Sequence, residues 1–150
     1  MAFYRSHPPA NRQNKPHTCW AAALDSFSRV TTVVPTLREK DLIATYGDST
    51  GALNNANLKR LGTKLADYGV RIDLVPVLSP MPDVLEERLR RSHVVLVFKL
   101  DKSIFWHAWV VYGVDNFIMY MDTNDGGYHK LNWTDGKFSS DGGVYLFWRP

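Results

Sequence analysis

The stretch Gln13-Asn-Lys-Pro-His-Thr-Cys19-Trp20-Ala-Ala-Ala23 contains the one cysteine of the chain and decides how the rest is interpreted. The helical spacing of apolar residues predicts a helix over Cys19–Val30, with Thr18 as its N-cap. Unpaired backbone amides at a helix start favour a thiolate, which is the nucleophilic form of cysteine. A lone cysteine on a helix is more often a small buried apolar residue. Cys19 is therefore a candidate nucleophile that needs supporting groups.

A nucleophilic cysteine needs a base, and the base needs a group that orients it. His107 lies near the start of an apolar strand, and Asp122 ends the strand that follows. Positions 115–116 are predicted to form a tight hairpin turn between these strands, which would make His107 and Asp122 cross-strand neighbours. A carboxylate there can hold an imidazole in its useful tautomer. Asn124 is the alternative orienter, and the alternative interpretation of His107 is a hydrogen-bonded core histidine.

Two further features surround the candidate nucleophile. Gln13 stands six positions before Cys19. Attack on an acyl carbon creates an oxyanion, which needs fixed hydrogen-bond donors. The Cys19 backbone amide is one such donor and the Gln13 side-chain amide is the candidate second, although a glutamine taken alone is more often a solvated loop residue. Trp20 and Trp106 are predicted to line the cleft beside the catalytic pair and to exclude water from it.

The rest of the chain divides into a helical first half and a β-rich second half. Residues 1–12 contain prolines among polar residues and are predicted to form an irregular arm. Beyond the first helix, we predict helices over 37–46 (capped by Thr36 with Glu39 as its box partner), 54–67 (followed by Gly69) and 82–91. Strands are predicted over 70–77, 93–100, 105–114, 117–121 and 144–148. Helices followed by strands indicate an α+β fold with a cleft between the two lobes.

Composition excludes several classes of protein. The chain has 150 residues, of which 45% are hydrophobic and 22% charged, and this is typical of one globular domain over residues 1–150. The net charge of +3 comes with no nucleic-acid-binding motif. No apolar stretch approaches the roughly 18–20 residues that span a bilayer, and the N-terminal residues do not resemble a signal peptide. Residues 122–127 are predicted to form a strand end and a glycine turn rather than a metal site.

The three blocks described above resemble the papain-like cysteine peptidases. In that clan a glutamine six positions before the cysteine helps to form the oxyanion hole, and a tryptophan follows the cysteine, as in residues 13–23. The segment His107-Ala-Trp-Val-Val-Tyr-Gly-Val-Asp115 resembles the histidine strand, and Phe117–Asp122 resembles the strand that delivers the third catalytic residue. The chain is most similar to the small bacterial C39-like branch, which includes the bacteriocin-processing domains of exporters and uses aspartate there. Thr123 stands where that branch usually has proline.

The resemblance implies a papain-like α+β domain that hydrolyses peptide bonds. Cys19, His107 and Asp122 would form the catalytic triad and Gln13 would contribute to the oxyanion hole, with no cofactor and no metal. A protein or peptide substrate would lie in the cleft between the lobes.

A free-standing domain of this kind also resembles bacterial effector or toxin domains. The chain would then reside in the cytoplasm or reach a target cell by a non-classical secretion system, and an inhibitor or immunity protein is the expected partner. Two alternatives remain open. A cysteine amidase or acyl transferase, acting for example on peptidoglycan, would use the same residues. A catalytically inactive peptide-binding module would share only the fold.

Overall fold

The computed structural model describes residues 2–32, 36–75, 81–99, 106–132 and 144–150. In these ranges the helices are α1 (Cys19–Val30), α2 (Glu39–Tyr46), α3 (Asn55–Asp67) and α4 (Met81–Leu89). The strands are β1 (Phe3–Tyr4), β2 (Arg71–Val75), β3 (Val94–Lys99), β4 (Trp106–Val114), β5 (Phe117–Asp122), β6 (Gly127–Asn132) and β7 (Val144–Trp148). The predicted α+β class is confirmed, with the ends of most predicted elements shifted by one or two residues. Predicted strand positions 76–77, 100 and 105 lie outside the described residues.

All of these strands belong to one antiparallel sheet, in the order β2-β7-β3-β4-β5-β6. Strand β1 pairs with the far end of β4. The central strands β3 and β4 are almost continuously apolar because both of their faces are covered. Val95 and Val110 lie in the core beneath α1, whereas Leu96 and Trp109 lie in a second core on the opposite face, which α4 covers. Strand β4 therefore presents alternate side chains to two different layers.

Helix α1 lies on the sheet, and its residues from Cys19 to Ser28 are all buried. Thr18 is the N-cap residue of this helix as predicted, but its hydroxyl donates to the Lys15 carbonyl at 2.9 Å and makes no side-chain cap bond. The predicted cap of α2 by Thr36 is wrong. The first amide of α2, that of Glu39, donates to the Asp25 carboxylate of α1 at 2.8 Å. A side chain on one helix thus caps the next one.

The N-terminal arm is more ordered than predicted. Residues 3–4 form β1 against Val114 and Gly113, and the remainder of the arm runs across α1 and the sheet. The Pro9 carbonyl accepts the Ser26 hydroxyl at 2.6 Å, and the Asn11 amide donates to the Ala22 carbonyl at 3.0 Å. These bonds lead the chain along α1 to the loop that precedes Cys19.

Strand β6 is the other element that the sequence did not predict. It pairs antiparallel with β5 from Gly127 opposite Asp122 to Asn132 opposite Phe117. The glycine turn predicted before it is present, with Gly126 at a φ of +71°. Side chains of β6 are mostly exposed or half-buried, so this edge strand has no apolar pattern that would reveal it.

Candidate active site

Cys19 is the first residue of α1 and only 8% exposed. Its sulfur lies 3.6 Å from the Trp106 carbonyl oxygen, to which the thiol donates. The backbone amide of Ala108 also bonds to the sulfur. The Sγ atom is therefore held against β4 between backbone groups on either side of His107.

Burial raises the pKa of the Cys19 thiol to about 11. The backbone hydrogen bonds from Trp20, Ala108 and Cys19 itself lower the pKa, and the Asp122 charge raises it slightly further, but loss of solvent is the largest cause. The amides at the helix start do lower the pKa of the thiol, as expected, but burial outweighs them. At neutral pH the sulfur keeps its proton until a base removes it.

His107 lies on β4 with its side chain directed to the α4 face of the sheet. Its ring stacks on that of Phe98, with the two ring centroids 6.0 Å apart and an interplanar angle of 26°. Among the residues that the structure describes, no hydrogen bond joins the imidazole to Cys19 or to Asp122. His107 nevertheless lines the same cavity as the sulfur.

The strand register corrects the predicted pairing of His107 with Asp122. Asp122 lies opposite Trp109, and a bulge at Tyr112 shifts the register nearer the turn. His107 and Asp122 are consequently diagonal neighbours, and continuing the register would bring Asn124 level with His107. Asp122 is itself bonded locally, since its Oδ1 accepts the backbone amide of Asn124 at 2.9 Å.

Gln13 is bound tightly within the loop before Cys19. Its side-chain Nε2 donates to the Lys15 carbonyl at 3.0 Å and to the Pro16 carbonyl at 3.1 Å. Its backbone amide donates to the Thr123 carbonyl at 2.7 Å, and its Oε1 lies 3.3 Å from the Thr123 hydroxyl. Both hydrogens of the side-chain amide therefore have acceptors, and these hydrogen bonds stabilise the conformation of the loop.

Thr123 is a positioning residue that the sequence analysis did not identify. It is 1% exposed, and its hydroxyl lies 3.1 Å from the Ala108 carbonyl of β4 as well as near Gln13. The only indication in the sequence is that a threonine stands where the C39-like branch usually has proline. Through Thr123, the loop that carries Gln13 is fastened to the strand that carries His107.

Two cavities meet at Cys19. The polar cavity, of about 470 Å³, is lined by Arg12, Gln13, Asn14, Lys15, Pro16, His17, Cys19, Trp106, His107 and Asn124. The apolar cavity, of about 300 Å³, is lined by His17, Cys19, Trp20, Thr50, Ala52, Leu53, Asn55, Leu58, Val97, Trp106, Tyr145 and Phe147. The structure thus places Gln13, His107, Asn124 and both predicted tryptophans around the sulfur, but not Asp122.

His17 lines both cavities, although it is not among the predicted catalytic residues. It is a second imidazole beside the thiol. The chemistry available at Cys19 is thus proton transfer to a histidine followed by attack of sulfur on a bound acyl group.

Asp122, Asp125 and His129 form a separate cluster in which the ligand atoms all lie within 4.8 Å of one another. The His129 ring and the Asp125 carboxylate are 2.8 Å apart. In the described ranges this is the one trio with the spacing of metal ligands, but Asp125 and His129 are exposed, and such groups are common without an ion. The Asp122 carboxylate thus has a ring nitrogen of His129 within 4.8 Å.

Comparison with known proteins identifies the fold. No protein-family model and no curated protein matches the sequence. Among solved structures, the chain is similar to the peptidase domain of Streptococcus ComA, a bifunctional ABC transporter involved in a quorum-sensing pathway. The TM-score is 0.69, covering 96% of this chain and 99% of that domain at 16% sequence identity. The predicted papain-like fold, that of a small cysteine peptidase domain, is confirmed. In the part of the chain that the structure describes, no helix is long and apolar enough to cross a membrane.

Proposed function

We propose that this chain is a cysteine peptidase in which Cys19 is the nucleophile and His107 the base. One observation carries the proposal: the only sulfhydryl group of the chain lies where two cavities meet, against the β4 backbone at His107. The likeness to a peptidase domain supports the same assignment at the level of the fold.

The proposed reaction begins with transfer of the Cys19 proton to His107. The thiolate then attacks the carbonyl carbon of the scissile bond and forms a C–S bond, with the negative charge on the oxygen. His107 returns the proton to the leaving nitrogen as the C–N bond breaks, which leaves a thioester. Water, deprotonated by His107, hydrolyses the thioester, and the sulfur regains its proton. Because burial raises the pKa of the thiol to about 11, the first transfer is essential.

Proton transfer requires the His107 ring to leave Phe98 and turn towards the sulfur. Catalytic hydrogen bonds are often long or poorly aligned without substrate and tighten when it binds. His107 is the second residue of β4 and lines the cavity that reaches the sulfur. We propose Asp122 as the orienter in that state, because its carboxylate stabilises an imidazolium across the diagonal of the sheet. Asn124, which lines the polar cavity, is the rival for this role.

The oxyanion would be held by the Cys19 backbone amide and by Gln13. The side-chain amide of Gln13 now donates to two backbone carbonyls. An oxyanion accepts hydrogen bonds more strongly than a neutral carbonyl does. One N–H of this amide can therefore leave its backbone carbonyl and donate to the oxyanion as it forms, while Thr123 keeps the glutamine in place.

The apolar cavity defines the expected substrate. Its walls include Trp20, Leu53, Leu58 and Phe147, and it opens at the sulfur. An apolar side chain of the substrate buried there would hold the scissile bond over Cys19, and burial of a large apolar side chain stabilises binding by about 1.5–3 kcal/mol. We therefore propose a peptide with a bulky apolar residue beside the cleaved bond.

The test is to digest a proteome with the wild-type protein and with Cys19→Ala and to identify new chain termini. Loss of a key catalytic residue costs about 10⁴–10⁶ in rate, while the exchange removes one sulfur and leaves the fold intact. New termini should appear only with the wild type and should cluster beside apolar residues. Peptidoglycan tested in parallel distinguishes an amidase. A Cys19→Ala variant within tenfold of wild-type activity would refute the mechanism.

A further inference from the structure

A third cavity lies at the opposite end of α1 from the sulfur. Helix α1 has 12 residues, so this cavity is roughly 18 Å from Cys19 along the helix axis. The cavity has a volume of about 550 Å³, and we call it the arginine cavity. Its lining includes Arg5, Ser6, Thr31, Thr32, Arg91 and Arg149.

Three arginine side chains converge on the arginine cavity, and no Asp or Glu side chain lines it. In the ranges that the structure describes, none of the three forms an ion pair. Arg5 donates through Nε to the Leu89 carbonyl, and Arg149 donates through Nη1 to the Thr31 and Thr32 carbonyls at 2.9 and 3.2 Å. Backbone groups thus hold two guanidinium groups in place and leave their other N–H donors free.

A bound anion would offset the mutual repulsion of these guanidinium groups. Three like charges around one cavity repel each other, and burial lowers the pKa of Arg5, which shows that its charge is partly removed from water. The backbone at the rim is also strained. Thr32 is β-branched but has a φ of +54°, a conformation that is uncommon outside glycine and is often found at binding sites. The carbonyl of this residue is one of those that position Arg149.

We propose that the arginine cavity binds a small molecule that carries two or more phosphate groups. Guanidinium groups pair with phosphate through two parallel hydrogen bonds. Each phosphate ester carries about −1.5 to −2 charges at neutral pH, so two phosphates match three arginines. The volume lies within the range of about 300–1,000 Å³ that is usual for small-molecule sites. The Ser6 hydroxyl supplies a further donor, whereas the Thr31 and Thr32 hydroxyls donate to the Phe27 and Thr31 carbonyls.

The test is isothermal titration of the wild-type protein with sodium tripolyphosphate, pyrophosphate and phosphate at constant ionic strength. We expect saturable binding that tightens as the number of phosphates increases. Arg91→Gln should weaken tripolyphosphate binding at least tenfold. Arg91 makes no side-chain hydrogen bond in the described part of the chain, so its loss should leave the fold intact. The matched control is Arg60→Gln, an exposed arginine on α3 that bonds to Asn57, which should bind as the wild type does.

Vesicles of phosphatidylcholine with and without a phosphorylated inositol lipid form a second arm, because a lipid headgroup offers the same chemistry. Binding to free tripolyphosphate supports the proposal. Three results would overturn it: no heat at millimolar tripolyphosphate, equal weakening by Arg91→Gln and Arg60→Gln, or binding to the vesicles alone. None of these results bears on Cys19, so they leave the proposed peptidase activity untouched.

Discussion

Replacing His107 by alanine should change how the Cys19 thiol reacts with iodoacetamide as the pH rises. In the described arrangement the thiol has a pKa of about 11, because burial outweighs its backbone hydrogen bonds. The proposed mechanism requires His107 to accept the thiol proton, which would bring the pKa of the working enzyme far below that value. His107→Ala removes the acceptor, so the variant should keep the high pKa.

The size of the effect follows from two opposing factors. At pH 7 a thiol with a pKa of about 11 is about one ten-thousandth thiolate. Cysteine thiols paired with a histidine are in general largely thiolate at neutral pH, so pairing with His107 would make the thiolate fraction of the wild type up to about 10⁴ times that of the variant. A less basic thiolate is also less nucleophilic, which offsets about 10²–10^2.5 of that gain. The wild type should therefore react about 30- to 100-fold faster at pH 7.

The assay is the second-order rate of alkylation between pH 5 and pH 10, measured by mass spectrometry of the modified protein. The wild-type rate should level off above pH 7, while the His107→Ala rate should rise about tenfold per pH unit up to pH 10. His7→Ala is the matched control, because His7 lies in the N-terminal arm and contacts Tyr112 and Tyr128. Identical profiles for the wild type and His107→Ala would refute the assignment of His107 as the base.

Three further predictions concern the orienter, the oxyanion hole and the helix cap. Asp122→Ala should reduce peptide hydrolysis about 10²-fold or more, and more than Asn124→Ala, because only a carboxylate stabilises the imidazolium; the reverse order would make Asn124 the orienter. Gln13→Ala should lower hydrolysis by about 10²–10³ but leave thiol alkylation within a few-fold, whereas equal losses would show that this glutamine only braces the loop. Asp25→Ala should lower the free energy of unfolding by about 1–2 kcal/mol in urea denaturation, because the carboxylate caps α2. Asp41→Ala on the exposed face of α2 should have a much smaller effect.

The fold was predictable wherever an element is buried against the sheet. The predicted limits of α1 and β7 agree with the structure, because the burial of both leaves a continuous apolar pattern. Strands β1 and β6 carry no such pattern. The two residues of β1 are too few for a period, and β6 is a polar edge strand whose place depends on pairing with β5. Pairing between distant segments leaves no periodic trace in a sequence.

The side-chain groups that cap α1 and α2 were predicted incorrectly for a related reason, although Thr18 is the N-cap residue of α1. Sequence patterns place a cap within a few residues of the helix start, as with Thr18 or Thr36. The amide at the start of α2 is instead satisfied by Asp25, which lies 14 residues earlier on another helix. Thr18 bonds to the loop before it. Residues that are distant in sequence supply equally good acceptors for the amides at a helix start, and the spacing of nearby residues does not reveal them.

At the active site, the sequence indicated which residues come together but not how they are coupled. The order of cysteine, histidine and aspartate along the chain does not give the register between β4 and β5. In that register Asp122 lies opposite Trp109, two residues from His107, and is therefore a diagonal rather than a direct neighbour of His107. Thr123 shows the same limit more sharply. Proline, which the resembling branch usually has there, could not donate a hydrogen bond. The threonine hydroxyl instead bridges the Ala108 carbonyl and the Gln13 side chain. The strand that bears the proposed base and the loop that precedes the proposed nucleophile are thus joined through Thr123, a residue with no chemical role of its own.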